Sequence, residues 1–295
     1  MVVVAIQEDP ETEPAALRSV AERLAAEAAA YVRRRRVEVF GAGSPGSQRP
    51  AVRTKSTPTD PVTVVDTETE RLLRERLAQL RPGEAILGEE EGGPSPGEGA
   101  ADDAQITWVL DPIDGTVNFL YGIEAYAVSV GVQRGGVSVA GAVADVAAGA
   151  VYSAASGCGA LVTRDGVTAD LRCSAADELP MALIGTGFAY QRQRRTRQGE
   201  VVARLLPHVR DLRRIGSCAL DLCMVAAGRL DAYYEEGVHV WDWAAGALIA
   251  AEAGAHVRTG TAADGAGLVV AAASGISGQF EDALARCGAF SGGGR

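Results

Sequence analysis

The chain has 295 residues, 47% hydrophobic and 22% charged, with a formal net charge of −10, which is the length and balance of a globular enzyme able to bury a large core. The acidity argues against a nucleic-acid partner, which a basic face would signal. Five cysteines, odd in number and without a Cys-x-x-Cys pair, exclude a disulfide framework or a zinc site and fit a reducing cytoplasm. Residues 1–8 lack the basic start and long apolar core of a signal peptide. The longest nearly uncharged stretch, 137–162, is rich in Gly, Ala and Ser with strand-like valines and reads as core strands, so no membrane association is expected.

Residues 1–12 read as a frayed terminus. Leu17, Val20, Leu24, Ala28 and Tyr31 recur at helical spacing and predict a helix over 13–35. Two arginine runs, 33–36 and 192–197, read as solvated faces, the first complementing a helix C-terminus. A loop rich in Gly, Pro, Ser and Gln follows over 41–50. It contains a G-x-G-x-x-G match at Gly41, Gly43 and Gly46 with Asp60 downstream, but Pro45, Pro50 and Pro58 break up the region where a dinucleotide site requires a helix. A second helix is predicted over 64–80, with Thr63 and Asp66 in capping-box spacing and Pro82-Gly83 as its stop. A strand over 85–88 and a polar surface loop over 92–105 come next. Strands are expected at 106–110, 126–132, 137–144 and 150–154, the last three as an antiparallel meander because Gly-containing turns separate them. The second half alternates strands at 181–185, 212–215, 232–235 and 267–271 with helices at 199–208, 218–227, 241–253 and 276–286, before a Gly-rich tail read as disordered. The order is an α+β half followed by an α/β half, and the abundance of Ala and Gly fits tightly packed layers.

Chemistry concentrates in one run, Trp108-Val109-Leu110-Asp111-Pro112-Ile113-Asp114-Gly115-Thr116. Two aspartates stand at the end of an apolar strand, and the Gly-Thr pair turns the chain into a short helix whose first amides face the same side. Carboxylates meeting helix-start amides suit a divalent cation holding a phosphate. Gly88-Glu89-Glu90 and Asp242, at the start of the helix over 241–253, supply further carboxylates. Four carboxylates in one place repel one another unless cations are bound. With no His or Cys in these motifs, hard oxygen ligands select Mg²⁺ or Mn²⁺ over zinc, and two such ions can activate a water and stabilise a leaving oxygen.

These residues resemble the inositol monophosphatase family of Mg²⁺-dependent, lithium-sensitive phosphatases, closest to its bacterial SuhB-type members. The resemblance spans about residues 17–285 and rests on Lys55-Ser56-Thr57-Pro58-Thr59-Asp60, Val65-Asp66, Leu87-Gly88-Glu89-Glu90, the run over 111–116 and Trp241-Asp242-Trp243-Ala244-Ala245-Gly246. D-P-I-D-G-T with W-D-x-A-A-G downstream is the specific combination. It implies an α+β fold, a layered α-β-α-β-α sandwich of the inositol monophosphatase / fructose-1,6-bisphosphatase type, acting as a homodimer. An N-terminal half over 1–155 would carry most metal ligands, and a C-terminal half over 156–295 the substrate-binding residues and Asp242.

The resemblance also implies two or three Mg²⁺ per subunit. Glu89, Asp111 and the Ile113 carbonyl would hold the first; Asp111, Asp114 and Asp242 the second; Lys55 and Asp66 would lie beside a third. Glu89 and Thr116 would position the attacking water, the Gly115 and Thr116 amides bind the phosphate, and Asp114 lie near the leaving oxygen. Gly216, Ser217, Cys218, Glu235 and Asp242 would meet a sugar or polyol, with Glu235 accepting hydrogen bonds from its hydroxyls. Cys218 stands where many members carry alanine, Glu236 where some carry an apolar residue, and His239 reads as structural. The implied activity is hydrolysis of myo-inositol 1-phosphate to myo-inositol and phosphate by direct attack of a metal-activated water. Fructose-1,6-bisphosphate, histidinol phosphate and 3′-phosphoadenosine 5′-phosphate are alternatives within the same chemistry. A regulatory or RNA-machinery binding protein is the alternative from another class, and the basic runs are its sequence support.

Overall fold

The computed structural model describes residues 13–41, 52–54, 61–94, 105–261 and 265–290. The frayed terminus, most of the two expected loops, the tail, and Lys55 and Asp60 lie outside the described residues.

The first helix, α1 (Pro14–Phe40), buries Leu17, Ala21, Leu24, Ala25, Ala28 and Val32 along one stripe. It runs beyond the expected end at 35 because the stripe continues to Phe40, whose ring meets Phe119 edge-on at 5.6 Å. The arginine run at 33–36 therefore lies inside the helix and is tethered, not simply solvated. Arg33 donates to the Val146 carbonyl at 2.9 and 2.7 Å, Arg36 to the Phe119 carbonyl at 3.1 Å, and Arg35 pairs with Glu68 at 2.8 Å. A helix, not a strand, leads into Gly41, in keeping with the exclusion of a dinucleotide site.

A small hairpin of β1 (Val52–Thr54) and β2 (Pro61–Thr63) leads into α2 (Val64–Leu80). The expected capping box is present: the Thr63 hydroxyl accepts from the Val65 and Asp66 amides, and Asp66 accepts from the Thr63 amide at 2.9 Å. A seven-stranded sheet follows in sequence order: β3 (Ala85–Gly88), β4 (Ile106–Asp114), β5 (Ala127–Arg134), β6 (Val137–Asp145), β7 (Ala150–Ala155), β8 (Ala160–Arg164) and β9 (Val167–Asp170). The β3–β4 pair is parallel and the rest antiparallel. The meander thus runs two strands further than the sequence pattern indicates, since β9 is exposed along its length and shows no apolar alternation. Between β4 and β5 comes the short helix α3 (Thr116–Tyr121).

A five-stranded sheet has the order β11–β10–β12–β14–β13, formed by β10 (Leu183–Thr186), β11 (Asp211–Arg213), β12 (Ala232–Glu236), β13 (Ala255–Thr261) and β14 (Gly267–Ala273). Its helices are α4 (Arg192–Leu205), α5 (Cys218–Ala226), α6 (Val240–Glu252) and α7 (Ser277–Cys287). Helix α4 starts at Arg192, not at 199. Only Gln198, Val201 and Leu205 of it are buried, so no apolar period announces the basic first turns.

Four buried clusters fill the four gaps between five layers: α1 and α2, the seven-stranded sheet, α5 and α6, the five-stranded sheet, and α4 and α7. This is the α-β-α-β-α sandwich that the motifs imply. Small residues let the layers approach: a Cβ on Gly131 or Gly141 would lie 2.8 Å from the Ala244 side chain or 2.9 Å from Ala245 of α6. The five cysteines are unpaired. No helix among the described residues is long and apolar enough to cross a membrane.

Candidate active site

The ends of β4 and β12 and the starts of α3, α5 and α6 border a cavity of about 340 Å³ that gathers Glu89, Asp111, Asp114, Glu235 and Asp242. The β4 end explains how two aspartates three positions apart come together. On a regular strand they would face opposite sides. Asp111 lies opposite Ser129 and Asp114 opposite Ala127, so β4 spends three steps where β5 spends two. This bulge returns both carboxyls to one side and accommodates Pro112 within a central strand. Asp111 Oδ1 accepts from the Ile113 amide at 3.0 Å.

Gly115 closes the turn with φ of +96°, and a Cβ there would lie 3.0 Å from the Ala125 carbonyl and 3.1 Å from the Gly216 carbonyl. Both conformation and space demand glycine. The Thr116 hydroxyl, buried, lies between the Ile113 carbonyl at 3.0 Å and Asp66 at 3.1 Å. Fully buried Asp66 thereby links the cap of α2 to the start of α3.

Asp114 is held by the second half of the chain. Its Oδ2 accepts from Ser217 Oγ at 2.5 Å and from the Ala219 amide at 2.7 Å, in the first turn of α5. Ser217 also accepts from the Leu220 amide at 3.2 Å, so its hydroxyl serves Asp114 and the helix cap; its neighbours Gly216 and Cys218 line the cavity. Asp242 sits at the start of α6 and accepts from the His239 amide at 2.6 Å. Oxygens of Asp111, Asp114 and Asp242 lie within 4.8 Å of one another.

Glu89 lines the same cavity just beyond β3, its amide bonded to the Leu110 carbonyl at 3.1 Å. Its turn is shaped by Glu70, a fully buried carboxylate on α2. Glu70 accepts from the Glu90 amide at 2.7 Å, the Glu91 amide at 3.0 Å and Arg74 Nε at 2.9 Å. A Cβ on Gly88 would stand 2.2 Å from the Glu70 carboxyl, so glycine is needed there too.

Burial and mutual repulsion act together on the acids. Burial, then Glu89, Asp114 and Asp242, pushes Asp111 well above the usual carboxylate range. Burial raises Asp114 to about 7 against the pull of Ser217 and Ala219, with Glu235 and Glu89 adding to the rise. Burial followed by the charges of Glu89 and Asp114 raises Asp242 well above the ordinary range.

The opposite wall is built from β12, the segment after β10, α4 and the segment before α5. Glu235 accepts from the Tyr233 hydroxyl and is pushed up by burial, against Tyr233 and Arg214. Arg194 and Arg214 also line the cavity. His239 stacks on Trp241 at 4.7 Å between ring centres, and both residues line the cavity.

The described site thus brings together the expected residues Glu89, Asp111, Ile113, Asp114, Gly115, Thr116, Gly216, Cys218, Glu235 and Asp242. Sequence reasoning missed Glu70, Gly187, Arg194 and Arg214, while Tyr233 falls within the Ala232-Tyr233-Tyr234-Glu235 segment that resembles the family's sugar-binding stretch. A signal for Glu70 was available: it lies four residues after Asp66 and three before Leu73, on the buried stripe of α2. Arg194 sat within a basic run read as solvent-facing.

The sequence model of the inositol monophosphatase family matches residues 13–287. The inositol-1-monophosphatase SuhB of Mycobacterium tuberculosis strain H37Rv is 67% identical over 279 residues, 94% of this chain and 96% of its own length. The solved structure of Mycobacterium tuberculosis SuhB has a TM-score of 0.78 at 60% identity and covers 94% of this chain and 98% of that one. The Nus factor SuhB of Vibrio cholerae is 37% identical over 199 residues, 67% of this chain and 71% of its own length.

Proposed function

The chain belongs to the inositol monophosphatase family, and from that premise we propose that it is a Mg²⁺-dependent phosphomonoesterase releasing phosphate from myo-inositol 1-phosphate. The observation that carries the reading is the convergence of Asp111, Asp114 and Asp242 oxygens to within 4.8 Å beside the Gly115–Thr116 turn. The donor set fits hard divalent cations. It is all oxygen, and its buried acids hold their protons unusually tightly without a cation, a repulsion that a bound cation relieves.

Glu89, Asp111, Asp114, Asp242 and the Ile113 carbonyl hold the ions. When bound, Mg²⁺ supplies charge neutralisation at the phosphate and a lowered pKa for a water. The Gly115 and Thr116 amides bind phosphate oxygens. The single proton of the Thr116 hydroxyl is engaged by the Ile113 carbonyl and Asp66, which leaves its oxygen lone pairs to orient the attacking water, with Glu89 on the water's other side. Asp114, fixed by Ser217 and Ala219, lies near the leaving oxygen, where it would pass on the proton that the attacking water gives up as the new P–O bond forms and the bond to the alcohol breaks. Gly216, Cys218, Glu235 and Asp242 meet the alcohol, and Glu235 accepts from its hydroxyls.

Phosphate release with Mg²⁺ from inositol 1-phosphate, compared with fructose-1,6-bisphosphate, histidinol phosphate and 3′-phosphoadenosine 5′-phosphate, tests the reading. Preference for inositol 1-phosphate is expected, together with inhibition by lithium. Preference for another of the four keeps the chemistry and replaces the substrate. A relative named Nus factor favours a second, regulatory reading, which silence on all four substrates would bring forward. In that case Asp114→Asn would leave the cellular role of the protein intact.

A further inference from the structure

We propose that Tyr233 is a positioning residue that sets leaving-group specificity: its hydroxyl occupies one oxygen of Glu235 and leaves the other to read a hydroxyl of the departing alcohol. This rests on the reading of the cavity as a polyol-phosphate site.

Tyr233 and Glu235 stand two apart on β12 and so share a face of the strand. The Tyr233 side chain has no solvent exposure and is packed into the cluster between the middle helices and the five-stranded sheet, with Leu222, Val225 and Leu230. Its hydroxyl, in contact with the buried Cys218 of the same cluster, donates to Glu235 Oε2. Among the described residues Oε1 accepts no hydrogen bond, and Glu235 lines the cavity. Burial pushes the Tyr233 hydroxyl well up, so at working pH it stays a donor.

A second contact fixes the carboxyl from the other side. Gly187 lies just after β10, the neighbour of β12 in the sheet. A Cβ built on Gly187 would fall 1.9 Å from Glu235 Oε2, 2.1 Å from the carboxyl carbon and 2.3 Å from Oε1. The carboxyl fills the space of the missing side chain. Held between a buried hydroxyl and bare backbone, Glu235 has given up its rotamer freedom before substrate arrives. A leaving group with a hydroxyl at that place completes its hydrogen bonding. One without it leaves a desolvated acceptor unpaired, and such a site discriminates strongly against an analogue lacking the group.

The experiment compares inositol 1-phosphate with p-nitrophenyl phosphate, whose leaving group carries no aliphatic hydroxyl, in the wild-type protein, Tyr233→Phe and Gly187→Ala. In both variants the ratio of kcat/KM for inositol 1-phosphate to that for p-nitrophenyl phosphate should fall roughly tenfold, the worth of one buried hydrogen bond, with the loss in KM for inositol 1-phosphate. Gly187→Ala removes no polar group and acts by displacing the Glu235 carboxyl, so it carries the test if Tyr233→Phe does not fold. A folded variant with the wild-type ratio, or with equal losses on both substrates, overturns the inference. A wild-type protein without preference for inositol 1-phosphate overturns instead the substrate reading on which it rests.

Discussion

The two walls of the cavity are held by different means. On the carboxylate side, three acids are gripped by backbone amides: Asp111 by Ile113, Asp114 by Ala219 and Asp242 by His239. The turn that presents Glu89 is gripped through its Glu90 and Glu91 amides by Glu70. On the alcohol side, Glu235 is held by one side-chain hydroxyl and a missing side chain at Gly187. Every residue but proline supplies an amide, so the geometry that amides set tolerates sequence change, Ser217 and Glu70 being the particular side chains on which this wall also draws. Geometry set by Tyr233 and Gly187 depends on two particular residues, and that is where specificity can drift while the reaction persists.

The sharpest way to break this comparison is Asp114→Asn. The amide oxygen of Asn can still accept from Ser217 and Ala219, so the fold should hold, while loss of the carboxylate should cost turnover about 10²-fold or more. Steady-state kinetics with a thermal melt checks both halves. A variant keeping more than about a tenth of its activity would remove Asp114 from the reaction.

Glu70→Ala tests whether the Glu89 turn needs its outer support. Three donors lose their acceptor: the Glu90 and Glu91 amides and Arg74 Nε. The Mg²⁺ concentration giving half-maximal activity should rise about tenfold, as for other residues that orient ligands from behind. Calorimetric titration of the metal-free protein with Mg²⁺ should show the same weakening. An unaltered affinity would mean that Glu89 holds its position without help.

How much of this was legible beforehand follows the same division. Asp111, Asp114, Gly115 and Thr116 are contiguous, so one short run announced them. The bulge that makes the two aspartates converge is a property of the pairing of β4 with β5 and is written in neither strand alone. The capping box at Thr63 and the boundaries of α2 and β3 came through intact because local chemistry decides them. The length of α1 and the start of α4 did not: Phe40 is rewarded by a ring 79 positions away, and α4 begins with arginines that tertiary contacts, not periodicity, recruit. Arg194 and Arg214 enter the cavity only once β12 and α5 are assembled around it.

Acidity offers a smaller, graded test. Asp111, Asp114 and Asp242 all titrate above an unfolded aspartate, Asp114 near 7. Between pH of about 4, where an unfolded aspartate titrates, and about 7, the folded metal-free chain therefore binds more protons here than the unfolded chain. Stability from this trio is fullest at the acid end and is lost as pH rises through that window. Mg²⁺ competes with those protons and binds only the folded form, so its stabilisation should grow with pH. Melting curves with and without Mg²⁺ should separate by a few degrees more at pH 8 than at pH 5. Equal separation at both would argue that the ions do not bind this trio.

Thr63→Ala should have the mildest effect and separate the two supports on the carboxylate side. The Thr63 hydroxyl caps α2 and bonds to Asp66, which in turn touches Thr116. Loss of such a cap costs about 1 kcal/mol, a drop of a few degrees in Tm. Asp66 retains the Thr63 amide and the Thr116 hydroxyl, so Thr116 should loosen without leaving its place. The expected result is a few-fold fall in kcat with an unchanged Mg²⁺ requirement, the opposite split from Glu70→Ala. The reason is geometric: Thr63 acts through Asp66 on the residue that orients the water, whereas Glu70 acts on the turn that presents a metal ligand. If Thr63→Ala instead raised the Mg²⁺ requirement, Asp66 would belong with the ligands and the first two turns of α2, through Asp66 and Glu70, would support one connected metal centre.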